Sequence, residues 1–259
     1  MGKFLTTVKP DFEIGAATGS AYSDNDWLFD WTPFEIPIGA AELRSINATV
    51  AGTDGAAGNT HDMNLYFAKS IDGVAPQATI IHAGLSGTKT APFRKNIIGW
   101  KELDLSGLDD DDHMIGYSVL GQQIGNAITL PESQMILQND DRGYKSTLGP
   151  GYQTIWVAAV AHGAFNFGSD VQLNQAGHQA AATAATQITV EQGGEGSGDP
   201  RVIYSTGDIL IGATGGPTME VVSVDSATLI TVKNISEQID NNEELVLQYP
   251  IEFHFGFEY

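Results

Sequence analysis

From Leu245 to Tyr259 every odd position is apolar: Leu245, Leu247, Tyr249, Ile251, Phe253, Phe255, Phe257 and Tyr259. The even positions from Gln248 onward are Gln248, Pro250, Glu252, His254, Gly256 and Glu258. Alternation with period two marks a half-buried β-strand, because successive side chains point to opposite faces of a sheet. Pro250 has no N–H to give to a ladder, so the pattern predicts two strands divided there. The second would extend about 30 Å, at roughly 3.3 Å per residue. Its aromatic rings require a sheet to bury them.

Shorter alternating runs recur between turn residues. Ile46, Ala48 and Val50 share a face, as do Met63, Leu65 and Phe67. Thr79 to His82, Ile98 to Leu105 with Trp100, and Met114 to Leu120 read as further strands. Thr154 to Ala161 is apolar on both faces, as a central strand is. Asp26 to Pro37 holds Trp27, Phe29, Trp31 and Phe34 and ends in two prolines, which suggests an edge segment plugging a core. Many short strands with Gly and Asp turns predict an all-β chain whose main domain is a β-sandwich of jelly-roll type.

The pattern also divides the chain. Residues 1–26 are small and polar and read as an extended arm; Phe4, Leu5, Phe12 and Ile14 would anchor it on a neighbouring subunit instead of on its own core. Residues 27–168, completed by 251–259, would form the main domain. Residues 169–250 would form a smaller β-domain inserted into it, with two domains in series as the alternative. In that stretch Ala176 to Thr186 offers a poor helix, because its threonines and Gly177 oppose the alanines. Gly193 to Gly198 reads as a flexible loop. Strands are expected at Val202–Tyr204, Gly207–Ile211, Met219–Val224 and Thr228–Val232, with a turn at Asp225-Ser226-Ala227.

Composition narrows the function. The chain has 259 residues, with 30 glycines and 10 prolines to supply turns. It carries 32 acidic against 12 basic residues, a net charge of −20. Such a surface repels nucleic acid and anionic membranes and favours solubility. The absence of cysteine excludes disulfides, a thiol nucleophile and thiolate metal sites. Met1-Gly2-Lys3-Phe4-Leu5 leads into polar residues and Pro10, without the apolar run of a signal peptide. No segment of about 18 apolar residues is present. The expectation is a soluble protein made in a cytosol.

Motifs for chemistry are sparse. Asp109, Asp110, Asp111 and Asp112, followed by His113, are the candidate metal ligands, since carboxylate oxygens suit Ca²⁺. Their spacing does not match an EF-hand, and a solvated acidic turn explains them. Asp54 to Asp62, with Asn59, Thr60 and His61, is another oxygen-rich loop. The six histidines form no zinc-binding spacing. Gly116-Tyr117-Ser118-Val119-Leu120-Gly121 falls short of a nucleophile elbow at Leu120. Gly84 to Thr90 lacks the spacing of a phosphate loop. Gly193–Gly198 precedes no helix that would make it a dinucleotide site. Trp27, Phe29, Trp31 and Phe34, beside Asp24, Asp26 and Glu35, serve a core or subunit interface or a carbohydrate platform.

Phe29-Asp30-Trp31-Thr32-Pro33-Phe34-Glu35-Ile36-Pro37, then Ala41-Glu42-Leu43-Arg44-Ser45-Ile46 and Asn64-Leu65-Tyr66-Phe67-Ala68-Lys69-Ser70, resemble β-rich virion structural proteins of tailed phages that infect marine cyanobacteria. The resemblance covers roughly residues 26–75 and, more loosely, Gly207–Val232. It brings no catalytic motif. It implies a non-enzymatic capsid decoration or cement protein, without cofactor, assembled in the host cytoplasm and carried in the virion. Its partners would be the major capsid protein, other virion proteins and further copies of itself. The alternative is a tail, neck or fibre component that binds host glycans through Trp27 to Phe34. A hydrolase with a dispersed carboxylate pair is the third reading; glycosidases need two carboxyls about 5 to 9 Å apart.

Overall fold

The structure is a computed structural model of the chain. It describes residues 2–10, 12, 22–51, 61–76, 93–105, 114–120, 135–169, 171–174, 184–192, 199–212, 217–233, 235 and 237–259; for 93–94, 114–120 and 192 it describes the backbone alone. The strands are β1 (Lys3–Val8), β2 (Trp27–Pro37), β3 (Ala41–Ala51), β4 (Asp62–Ala68), β5 (Ile97–Leu103), β6 (Met114–Leu120), β7 (Met135–Leu137), β8 (Tyr152–His162), β9 (Val171–Leu173), β10 (Gln187–Gln192), β11 (Ile209–Gly212), β12 (Met219–Ser226), β13 (Leu229–Val232), β14 (Leu245–Leu247) and β15 (Ile251–Glu258). Two four-residue helices complete the described elements, α1 (Phe93–Asn96) and α2 (Pro200–Ile203). The protein is all-β.

Two antiparallel sheets form a sandwich. One runs β1-β15-β3-β6, with β7 paired to the other end of β3, so that β6 and β7 share one position. The other runs β2-β8-β4-β5. The chain crosses from one of these sheets to the other at each step except β4 to β5 and β6 to β7, and the last strand lies between the first and third. That eight-position arrangement is the order of a jelly roll. Its core is aromatic. Phe253, Phe255 and Phe257 on β15 face Phe29 and Phe34 on β2 and Phe67 on β4, with ring centroids 5.2–6.2 Å apart. Offset and edge contacts at such distances are the favourable ones for ring quadrupoles. The inward alternation of β15 is thus what holds the two sheets together.

β9 to β14 make a six-stranded sheet in the order β14-β11-β12-β13-β10-β9. A bridge between Gln172 and Glu244 draws its two edges together. Leu173 N donates to Glu243 O and Asn242 N to Leu173 O, each at 2.8 Å. The result is a nearly closed barrel around Leu173, Ile188, Leu210, Val221, Ile230 and Leu245. Leu247, on β14, packs against both this cluster and the sandwich core.

Several expectations need correction. The arm over 1–26 is not an arm in its described part. β1 pairs with β15 from Lys3↔Glu258 to Val8↔Phe253, and Gly2 N donates to Tyr259 O at 2.8 Å. Phe12 and Tyr22 lie in the sandwich core beside Phe167. The physical reason is that β15 needs a ladder on both edges, and Phe4, Thr6 and Val8 continue its inner face; Leu5, apolar but outward, hides that alternation. Val202–Tyr204 is not a strand: Pro200 opens a helical turn capped by Asp199, whose carboxylate accepts from Arg201 N at 2.9 Å. The turn after β12 is Ala227-Thr228, one residue later than expected. β9 and β10 were not expected, although Ile188 and Val190 alternate with Gln187, Thr189 and Glu191. The strand expected at Thr79–His82, most of Ala176–Thr186 and the loop Gly193–Gly198 lie outside the described residues.

Candidate interaction face

The two outer faces of the sandwich differ in chemistry. On the β1-β15-β3 side the outward residues are mostly polar, Leu5 apart, and several of their charges are paired within the chain. Lys9 Nζ lies 2.9 Å from Glu252, and Arg44 lies 2.7 Å from Glu258 and 3.1 Å from Glu42. Thr7 and His254 share a hydrogen bond at 2.9 Å.

The β2-β8-β4-β5 side is aromatic. On β8, Ile155, Val157, Ala159 and Ala161 face the core, so Trp156, Ala158 and Val160 point outward. Register then places Pro33, Trp156 and Ala68 in one row, Ala158, Tyr66 and Trp100 in the next, and Trp27, Val160, Asn64 and Glu102 in the third. Trp27 lies 6.1 Å from both Trp31 and Tyr66. Tyr144 meets Trp156 edge-on at 4.9 Å. The chain has four tryptophans, and all of them are on this face. Trp27, Tyr66 and Trp156 are buried under their neighbours and Trp31 is half-buried, but Trp100, on the edge strand β5, is 58% exposed.

Both ends of the face are fixed by hydrogen bonds. At one end Glu35 accepts from Thr147 N and Oγ1, each at 3.1 Å, and from Thr154 Oγ1 at 2.8 Å. This holds the segment that carries Tyr144. The segment is tied a second time where Asp141 accepts from Gly73 N at 2.7 Å and from Gly143 N at 2.9 Å. The bond from Gly73 N is the main reason that the Asp141 carboxyl sits below the ordinary carboxylate range. At the other end Asp62 accepts from Leu105 N at 2.9 Å, and Asn64 contacts His162. Asp24 stands 3.7 Å from His162. Rings set on a sheet and walled by such loops have little freedom left to lose on binding.

The residues singled out from the sequence scatter. Phe12, Phe29 and Phe34 are core residues and not interface residues, because they sit at inward positions. Phe4 is half-buried, 6.4 Å from Tyr152. Leu5 is exposed on the opposite, polar face. Trp27 and Trp31 point outward, so the quartet Trp27–Phe34 is split between two faces and forms no single platform. Asp109, Asp110, Asp111 and Asp112, with His113, lie outside the described residues, as do Asp54 to Thr60 and Gly84 to Thr90. Among the described residues no three His, Asp or Glu side chains gather as metal ligands do. Ser118 falls inside β6, opposite Asn47, and not on a strand-to-helix turn. Sequence reasoning missed Trp156, Tyr66 and Tyr144 as members of one surface. The parity of Tyr66 against Met63, Leu65 and Phe67 was the available signal.

No protein-family model matches the chain, and no curated protein matches it. Among solved structures it aligns with a chain from "Structure of deformed wing virus, a honeybee pathogen", at 8% identity and a TM-score of 0.16, over 98% of this chain and 84% of that one. A likeness at that score carries no argument about fold or function.

Proposed function

We propose that the chain is a non-enzymatic virion structural protein of a tailed phage, a capsid decoration or cement protein that stabilises the head through subunit contacts. The observation that carries this reading is the gathering of all four tryptophans on one outer sheet face, with a large ring left exposed at its edge. An exposed tryptophan backed by buried rings, as Trp100 is, is the kind of residue that protein contacts use. The jelly-roll order is compatible, since capsid proteins use it, but lectins and cupins use it too, so the fold alone decides nothing. The net charge of −20 suits a component on the outside of a head more than one that holds DNA.

Cryo-EM and quantitative mass spectrometry of purified particles test the proposal. The expected result is many copies at regular positions on the head lattice. Absence from purified virions, or density confined to the tail, would refute it.

A further inference from the structure

β1 is the rim of its sheet. Gly2 and Tyr259 exchange N–H···O bonds in both directions, at 2.8 and 3.1 Å, and the ladder runs without a register shift to Val8↔Phe253. Hydrogen-bonded residues alternate along an antiparallel pair, so Phe4, Thr6 and Val8 also bond β15. Lys3, Leu5 and Thr7 therefore aim their N–H and C=O groups at the open side, and all three are exposed. The rim at β2 in the facing sheet is blunted by Pro33, Pro37 and two register shifts, and the barrel draws its own edges together through Gln172 and Glu244. β1 has no proline, no bulge and no inward charge, and it sets Leu5, 63% exposed, in the middle of its outer face. We infer that two copies of the chain join through this rim, β1 against β1 in antiparallel register about a two-fold axis at Leu5, to make one continuous sheet. The contact draws nothing from the assembly reading above and forms in the free protein.

The rim is complementary to itself. A two-fold axis at Leu5 sets Lys3 opposite Thr7 and Leu5 opposite Leu5, so every residue that presents bonding groups meets one that does the same. The same register keeps like charges apart, because Lys3 faces Thr7 and never its own counterpart. β1 contains no carboxylate, in a chain whose net charge of −20 otherwise repels its copy. Leu5 against Leu5 covers an apolar side chain that the polar face leaves in water. On the inner side Phe4 is half-buried, 6.4 Å from Tyr152, so the core already reaches the rim and would continue beneath the joined strands.

The test is sedimentation equilibrium of the full chain in about 0.3 M salt, where screening shortens the range of its self-repulsion. A rim of six residues is at the small end of specific interfaces, so a monomer–dimer equilibrium with a dissociation constant of about 10–100 µM is expected. Leu5→Pro should abolish it: the Leu5 N–H points away from β15, so proline there breaks no bond within the chain but blocks the rim. Leu5→Lys and Leu5→Glu should each be monomeric, since like charges would stand opposite each other on the axis, and mixing the two variants should restore a dimer. Val222→Ala, at an exposed position in the barrel, should dimerise as wild type does. Thermal melts in dilute solution that match wild type establish that the variants fold. Wild type that stays monomeric to about 500 µM overturns the inference and leaves the rim to a strand of another protein. A dimer that survives Leu5→Pro places the contact elsewhere and overturns it too. Failure of the mixed Leu5→Lys and Leu5→Glu variants to associate refutes the two-fold register.

Discussion

Phe255 is the sharpest point at which to perturb the sandwich. Its ring is fully buried, 5.2 Å from Phe34, 5.5 Å from Phe67 and 5.6 Å from Phe253, so it touches rings of both sheets. Phe255→Ala removes that transfer free energy, about 1.5–3 kcal/mol, and leaves a cavity that two paired sheets cannot close. Phe→Ala at such sites costs about 3–5 kcal/mol in total. A domain's whole stability is about 5–15 kcal/mol, so the loss is a large fraction of it. The assay is guanidinium unfolding followed by tryptophan emission, which reports the sandwich because all four tryptophans lie on it. With a slope of about 4 kcal/mol/M, a loss of about 4 kcal/mol moves the midpoint down by roughly 1 M. Leu5→Ala, at an exposed position, should stay within about 0.5 kcal/mol of wild type. A loss below about 1 kcal/mol for Phe255→Ala would show that the facing rings do not hold the sheets together.

Deleting 251–259 removes the strand between β1 and β3, and should abolish the larger calorimetric transition while far-UV signal from the β9–β14 barrel persists; an unchanged melting profile would make the strand peripheral. Gly163→Ala should lower the sandwich midpoint, because Gly163 has φ +154° and an added Cβ would fall 2.5 Å from His61 Nδ1; the strain is about 1–3 kcal/mol, and wild-type stability in urea would contradict it. Burial holds the Asp208 carboxyl above the ordinary carboxylate range. The folded state then binds the proton more tightly than the unfolded one, so this residue adds stability as pH falls from neutral through its folded pKa, and the gain levels off below the ordinary value near 3.9. Asp208→Asn should flatten that slope between neutral pH and about pH 4; a slope as steep as wild type's would refute the assignment.

Local pattern determined a good deal. The alternation of Ile251–Glu258, of Ile46, Ala48 and Val50, and of Met63, Leu65 and Phe67 was readable because each strand has one face in the core and one outside, so the period is written in the residues. β8 was legible as a central strand for the same reason in reverse: with neighbours on both edges and rings over its outer side, no polar residue is needed between Ile155 and Ala161. Where local signals conflicted, the reading failed. Leu5 broke the parity of β1, and the glycine and serine content nearby suggested an arm, although its ladder partner stands at the other end of the chain. Pro200 and Asp199 hold a helical turn at Pro200–Ile203, where the apolar Val202-Ile203-Tyr204 suggested a strand.

The surface chemistry was decided by tertiary structure. Trp27, Trp31, Trp100 and Trp156 are separated by up to about 130 residues, and nothing in their local patterns links them. They meet only because β2, β8, β4 and β5 are neighbours in that order and because register sets Tyr66 opposite Trp100 and Ala158. The same registers send Phe29 and Phe34 inward, so a cluster that looks continuous along the chain is divided in space. A sequence specifies which strands have an inside; pairing order specifies which outsides lie together, and pairing order is a property of long-range ladders that no local window contains.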